Sequence, residues 1–154
     1  MELSEILQAQ DVLPALAARS KKQVLQELAA HAARATGLSE RTIFDTLLQR
    51  ERLGSTALGG GIAIPHGRFA GLDRVRGFFA RLTTPLDFEA LDHQPVDLVF
   101  LLMAPEGAGT DHLKALARIS RILSDKALLE KLRNTEDGKA LYALLTEPVS
   151  SRAA

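Results

Sequence analysis

The segment GSTALGGGIAIPHGR, residues 54–68, ends with a single histidine, His66, held between Pro65 and Gly67. Gly54, Gly59, Gly60, Gly61 and Gly67 all fall within it. Glycine costs conformational entropy, so such a run answers a need for unusual dihedrals or close backbone approach. An imidazole offers two chemistries near neutral pH. It can bind a metal, or it can attack an electrophile through one unprotonated nitrogen while the other keeps its proton.

Four readings of the segment compete. Gly54 and Gly59 have the four-residue gap of a P-loop, but Gly60 and Gly61 stand where lysine and a hydroxyl should follow, and the segment runs into a strand rather than a helix. The dinucleotide fingerprint fails similarly, because Ile64 occupies the position of its third small residue. Metal binding needs several ligands, and no His, Asp or Glu lies within six residues of His66 on either side. His31, His93 and His112 are distant in sequence and show no paired spacing. Two readings stand from the residues alone. One is a glycine-rich turn whose histidine satisfies a backbone group. The other is a nucleophile, with one ring nitrogen held by a carbonyl of a glycine-rich neighbour, Pro65 stiffening the approach and Gly67 baring the exit.

The longer string LLQRERLGSTALGGGIAIPHGR resembles the active-site segment of the IIA proteins of the phosphoenolpyruvate-dependent phosphotransferase system. The resemblance is to the mannitol/fructose class, and most of all to its nitrogen-regulatory branch. LDFEALDHQPVDLVFLLMAPEG and DHLKALARIS look like later segments of the same family, so the likeness spans Lys21 to Glu147. It implies that His66 accepts a phosphoryl group from a histidine phosphocarrier protein (HPr/NPr-like). It further implies that Arg50 and His112 stabilise that group, and that downstream proteins read the phosphorylation state. It implies no cofactor and no metal. The alternative within the family is the IIA component of a fructose/mannitol-type sugar uptake system. With no membrane segment or fused transport domain in the sequence, the regulatory output is favoured. Ala57-Leu58 departs from the family's frequent Gly-Ile.

The physics of each placement can be stated separately. Arg50 ends a helix just before the glycine run and can fold over a phosphoryl group, or simply complement the helix dipole. His112 falls in the first turn of a helix, where the dipole disfavours an imidazolium; as a neutral ring it can donate one hydrogen bond, or it is a plain surface residue. Arg68 is a candidate for partner contact or phosphate steering, with a solvated face as the alternative. Lys114, Arg118 and Arg121 form a basic stripe at helical spacing that fits either solvent or an acidic partner. His31 and His93 read as structural or exposed.

These residues need elements to hold them. SKKQVLQELAAHAARATG places Val24, Leu25, Leu28, Ala29 and Ala32 on one stripe and stops at Gly37. Ser39 caps the next helix, with Ile43, Phe44, Leu47 and Leu48 inward and Gly54 at its end. GIAIP, VRGFFARL and VDLVFLLMAP read as strands, the last apolar on both faces as an interior strand must be. Helical periodicity returns after Thr110, which caps a helix to about Leu123 unless Asp111 does. Ser124 is expected to cap the next helix, and Asn134 or Thr135 a last one that stops before Pro148. The chain opens on helical signals. Helices at both ends around a sheet predict a layered α/β sandwich, and the resemblance implies a central mixed sheet flanked by helices on both faces. A single domain over residues 1–154 is expected.

Bulk properties exclude several classes. The 19 basic and 19 acidic side chains cancel, so no global field favours nucleic acid or an anionic membrane. No cysteine is present, which removes disulfides, thiolate metal sites and cysteine nucleophiles. The N-terminus lacks the features of a signal peptide, and the apolar run Leu98–Ala104 is too short to span a bilayer. A cytoplasmic location without membrane insertion is the expectation. The remaining rival is a helix-turn-helix DNA-binding regulator built on residues 21–52, whose six basic and four acidic side chains leave a weak net charge of 6 − 4 = +2.

Overall fold

The run Val96–Pro105, apolar on both faces, forms the strand at the middle of a six-stranded sheet in a computed structural model that describes residues 2–147. In chain order, a 3-10 turn (Leu3–Glu5) leads into β1 (Leu7–Leu16), α1 (Lys21–Thr36) and α2 (Glu40–Leu53). Then come β2 (Ala57–Gly59), β3 (Ile62–Ala63), β4 (His66–Phe69), β5 (Arg76–Leu86) and β6 (Val96–Pro105). The last three elements are α3 (Asp111–Ile122), α4 (Lys126–Arg133) and α5 (Gly138–Thr146). Pro148 lies outside the described residues.

The sheet is mixed, in the order β1-β5-β6-β3-β2. β1 is parallel to β5, β5 is antiparallel to β6, and β2 is antiparallel to β3. β3 and β4 both run parallel along the same edge of β6, with Ile62 opposite Leu98 and His66 opposite Leu102. They are one strand interrupted at Ile64 and Pro65. Proline has no N–H to give to a ladder, but its carbonyl still accepts from Leu102 N at 2.9 Å.

Side-chain alternation builds two cores. Phe79, Leu98, Phe100 and Leu102 meet Ile119, Leu128, Leu132 and Leu141 of α3, α4 and α5. Phe78, Ala80, Val99, Leu101 and Met103 meet Leu25, Leu28, Ile43 and Leu47 of α1 and α2 on the opposite face. The expected layered sandwich is the observed one. In this packing Ile43 and Leu47 turn α2 toward the sheet, and outward-facing Arg41 pairs with Asp45 at 3.8 Å, so the outer face of α2 is not the cleanly basic one that a helix-turn-helix reader needs.

Ser20 and Ser39 cap α1 and α2, accepting from Gln23 N and Thr42 N, and Gly37 ends α1 at φ +79°. Further along, the expected caps are displaced. Asp125 rather than Ser124 caps α4, and Asp137 rather than Asn134 or Thr135 caps α5. The three displaced side chains instead donate backwards, Ser124 to Arg121 O, Asn134 to Glu130 O and Thr135 to Lys131 O. They add a second bond to carbonyls at the end of the preceding helix or, for Lys131 O, a first, leaving the free N–H groups of the next to a carboxylate.

The larger departure is β1, where only helical signals were expected. An edge strand tolerates Pro14 and shows no clean alternation. Buried Asp11 ties it inward, accepting from Arg76 Nη2 at 3.3 Å and lying 2.8 Å from His31 Nε2. That contact fixes His31 in a structural role. Among the described residues, no helix is long and apolar enough to cross a membrane.

Candidate functional site

His66 opens β4 at the point where the interrupted strand resumes. Its Nδ1 lies 2.7 Å from the carbonyl oxygen of Ile64. A carbonyl only accepts, so Nδ1 carries the proton and Nε2 is left as the unprotonated nitrogen. The holder is therefore Ile64, two residues back across the proline, and not a glycine carbonyl. The glycines serve the neighbouring hairpin, where Gly59, Gly60 and Gly61 all take positive φ between β2 and β3. That hairpin is pinned from two sides. Asp92 accepts from Gly60 N at 2.9 Å, while Arg133 donates to Gly60 O at 2.6 Å and to Asp97. Asp92 is thereby held below the usual carboxylate range, chiefly through the Gly60 amide.

Gly67 has a second reason to be glycine. A Cβ there would lie 3.0 Å from Thr46 Cγ2 and 3.3 Å from the Phe69 ring. α2 thus lies directly against the exit from His66, and Arg50 sits one turn beyond Thr46. Arg50 Nη1 donates to Gly54 O at 2.8 Å, closing the end of its own helix. Ile64 N bonds to Thr56 O, so the loop that Arg50 grips adjoins the carbonyl that holds His66.

On the other side stands α3. The His66 and His112 rings lie 5.6 Å apart between centroids, inclined at 51°. His112 is only 7% exposed, which removes the surface reading. Its Nδ1 is buried without a hydrogen-bond partner. An orphaned acceptor is cheaper than an orphaned N–H, so the proton belongs on Nε2. Burial pushes the His112 pKa down from the usual 6.5, with the neighbouring His66 ring and the Arg68 guanidinium adding to it. The neutral ring expected from the helix dipole is thus favoured first by desolvation.

Arg68 bridges β4 to the loop before α3, donating to Glu106 O at 3.2 Å and Gly109 O at 3.3 Å. The basic stripe does not hold together as one free face. Lys114 and Arg121 are exposed, but half-buried Arg118 turns to Glu2 at 3.2 Å. His93 lies in a turn at φ +60°, apart from these residues. Among the described residues, no group of three or more His, Asp and Glu could hold a metal ion.

Glu51 is the residue that sequence reasoning passed over. Its carboxylate is buried and accepts from Thr56 N, Thr56 Oγ1 and Lys21 Nζ, fixing the turn between Arg50 and the glycine run. A signal was there: Ile43, Leu47 and Glu51 follow at spacings of four on one helical face.

The structure thus sets two imidazoles side by side at the start of β4, with Arg50 at the end of the neighbouring helix α2. The family model described as "Phosphoenolpyruvate-dependent sugar phosphotransferase system, EIIA 2" matches residues 5–147. The chain belongs to this family. A "Nitrogen regulatory protein" of Bradyrhizobium diazoefficiens is 56% identical, covering 99% of this chain and 100% of that one. The crystal structure of nitrogen regulatory protein IIA-Ntr from Neisseria meningitidis is 38% identical. It superposes with a TM-score of 0.88, covering 94% of this chain and 99% of that one. IIA mannitol from Escherichia coli, 21% identical over 90% of this chain and 97% of its own, shares the fold at a TM-score of 0.76. The EIIA 2 fold is thus kept across a wide range of sequence.

Proposed function

We propose that this chain is a phosphohistidine phosphocarrier whose acceptor is Nε2 of His66. The observation that carries the reading is the 2.7 Å contact between His66 Nδ1 and the Ile64 carbonyl. It keeps one nitrogen protonated and leaves the other with a free electron pair on a half-buried ring. In the transfer, the pair on Nε2 forms the new N–P bond as the N–P bond to the donor's imidazole breaks. The bonding pair leaves with the donor ring. The Nδ1 proton stays on His66, so no separate base is required. His112, neutral with its Nε2–H available, donates to a phosphoryl oxygen, and Arg50 supplies a guanidinium from the end of α2.

The donor is a histidine phosphocarrier protein of the phosphotransferase system, and the exchange takes place in the cytoplasm. The whole chain, residues 1–154, acts as one domain. The output is regulatory, as the name of the 56% identical relative suggests and in preference to sugar uptake. A phosphoryl group adds about two negative charges to the His66 face, enough for a partner to tell the two forms apart.

The test is incubation with phosphoenolpyruvate, the first enzyme of the system and its carrier protein, followed by intact mass and peptide mapping. One phosphoryl group on the peptide containing His66 is expected, and none in His66→Ala. Acid-labile labelling retained in His66→Ala would overturn the assignment.

A further inference from the structure

We propose that Arg68 is a positioning residue that acts through His112: its guanidinium locks the loop between β6 and α3, and so sets where the His112 ring meets His66. The inference rests on the phosphocarrier reading of His66.

Strand alternation supplies the first part of the argument. His66 and Arg68 are two apart on β4 and so project to the same face, while Gly67 turns to α2 and Phe69 into the core on that side. Arg68 therefore leaves the sheet on the side where α3 begins. There it meets a stretch with little to hold it. Residues 106–110 are mostly exposed, and Thr110, at the start of α3, makes no side-chain cap.

The loop's own turns use the carbonyls of Pro105, Ala108 and Thr110, which accept from Ala108 N, Asp111 N and Lys114 N. Arg68 takes two others, with Nη1 on Glu106 O and Nη2 on Gly109 O. One planar fork thus spans the loop, something a single ammonium cannot do.

His112 depends on that loop more than most buried side chains would. It follows Thr110 by two residues, and its Nδ1 has no hydrogen bond to orient the ring. Packing and the placement of the α3 start are what aim it. The cation beside it also favours the neutral form that the donor role requires. Arg68 is thus tied by its bonds to the loop rather than held free for a ligand.

A double-mutant cycle tests this with Arg68→Met, His112→Ala and the pair combined, alongside Arg68→Lys. The readouts are the rate of phosphoryl acceptance from the phosphorylated carrier protein, and the imidazole nitrogen resonances of His112 in the unphosphorylated chain. Arg68→Met is expected to slow acceptance about tenfold, the factor carried by one hydrogen bond to a charged group. It should shift the His112 ring signals, and it should have no further effect once His112 is alanine. Arg68→Lys should fall between, since it can reach one carbonyl. Additive losses in the double variant would mean that Arg68 touches the phosphoryl group or the donor directly, and would overturn the inference. So would His112 ring signals that do not move. Failure of the wild-type chain to load at His66 would sink the phosphocarrier reading instead, and the ring signals would then decide the Arg68–His112 link by themselves.

Discussion

Replacing His112 by alanine should separate stability from function, because the same ring carries terms of opposite sign. The imidazole is 7% exposed, so its removal forfeits about 1–2 kcal/mol of apolar contact. It also removes a buried Nδ1 without a partner, whose unreturned desolvation costs about 1–3 kcal/mol. The two nearly cancel. A net change within about 1 kcal/mol moves the melting midpoint of a domain this size by about 2–4 °C. Phosphoryl acceptance has no such offset. Losing a hydrogen bond to a charged oxygen removes about 1.5–3 kcal/mol, or about 10- to 150-fold in rate. The assay pairs a thermal melt with rapid-quench loading of the variant by the phosphorylated carrier protein, followed by intact mass. A midpoint lowered by more than about 10 °C with an unchanged loading rate would refute the reasoning and return His112 to the core.

Three further outcomes are expected. Arg50→Lys should slow loading, because an ammonium holding Gly54 O has no second rigid arm for the phosphoryl group; wild-type kcat/KM would leave Arg50 as a helix-end cation. Asp11→Ala should destabilise the fold by about 3 kcal/mol in urea titration, since Arg76 and His31 lose a shared buried carboxylate, while loading at His66 stays normal. The third concerns acid. His112 has its folded pKa lowered from 6.5, so below about pH 6.5 the unfolded chain binds a proton that the folded chain refuses. That contribution to stability is intact above 6.5 and is lost as pH falls toward the folded value. The stability of His112→Ala relative to wild type should therefore rise between pH 7.5 and 5, and a pH-independent difference would count against the buried neutral ring.

What the sequence disclosed depended on how local the governing force was. β6 was legible residue for residue because burial on both faces leaves a continuous apolar run. The ends of α1 and α2 were legible because serine caps and Gly37 act within a turn. β1 was not, since an edge strand with one side in solvent need not alternate and owes its place to Asp11 reaching across to β5. The site divided along the same line. The need for an acceptor behind His66 could be argued from chemistry, but its identity depended on the strand break at Pro65, which only the pairing with β6 reveals. His112 is distant from His66 in sequence, and the return of the chain from β6 into α3 brings the rings together.

The atom that holds the His66 ring belongs to a peptide group and not to a carboxylate. A carboxylate behind an imidazole raises its basicity and strengthens the bond at the far nitrogen. An amide oxygen fixes the tautomer and the tilt of the ring with no full charge to add. The ring thus remains a good leaving group as well as a competent attacker. For the phosphocarrier proposed above, a group gained at Nε2 would be passed on more readily than from a ring backed by a full negative charge.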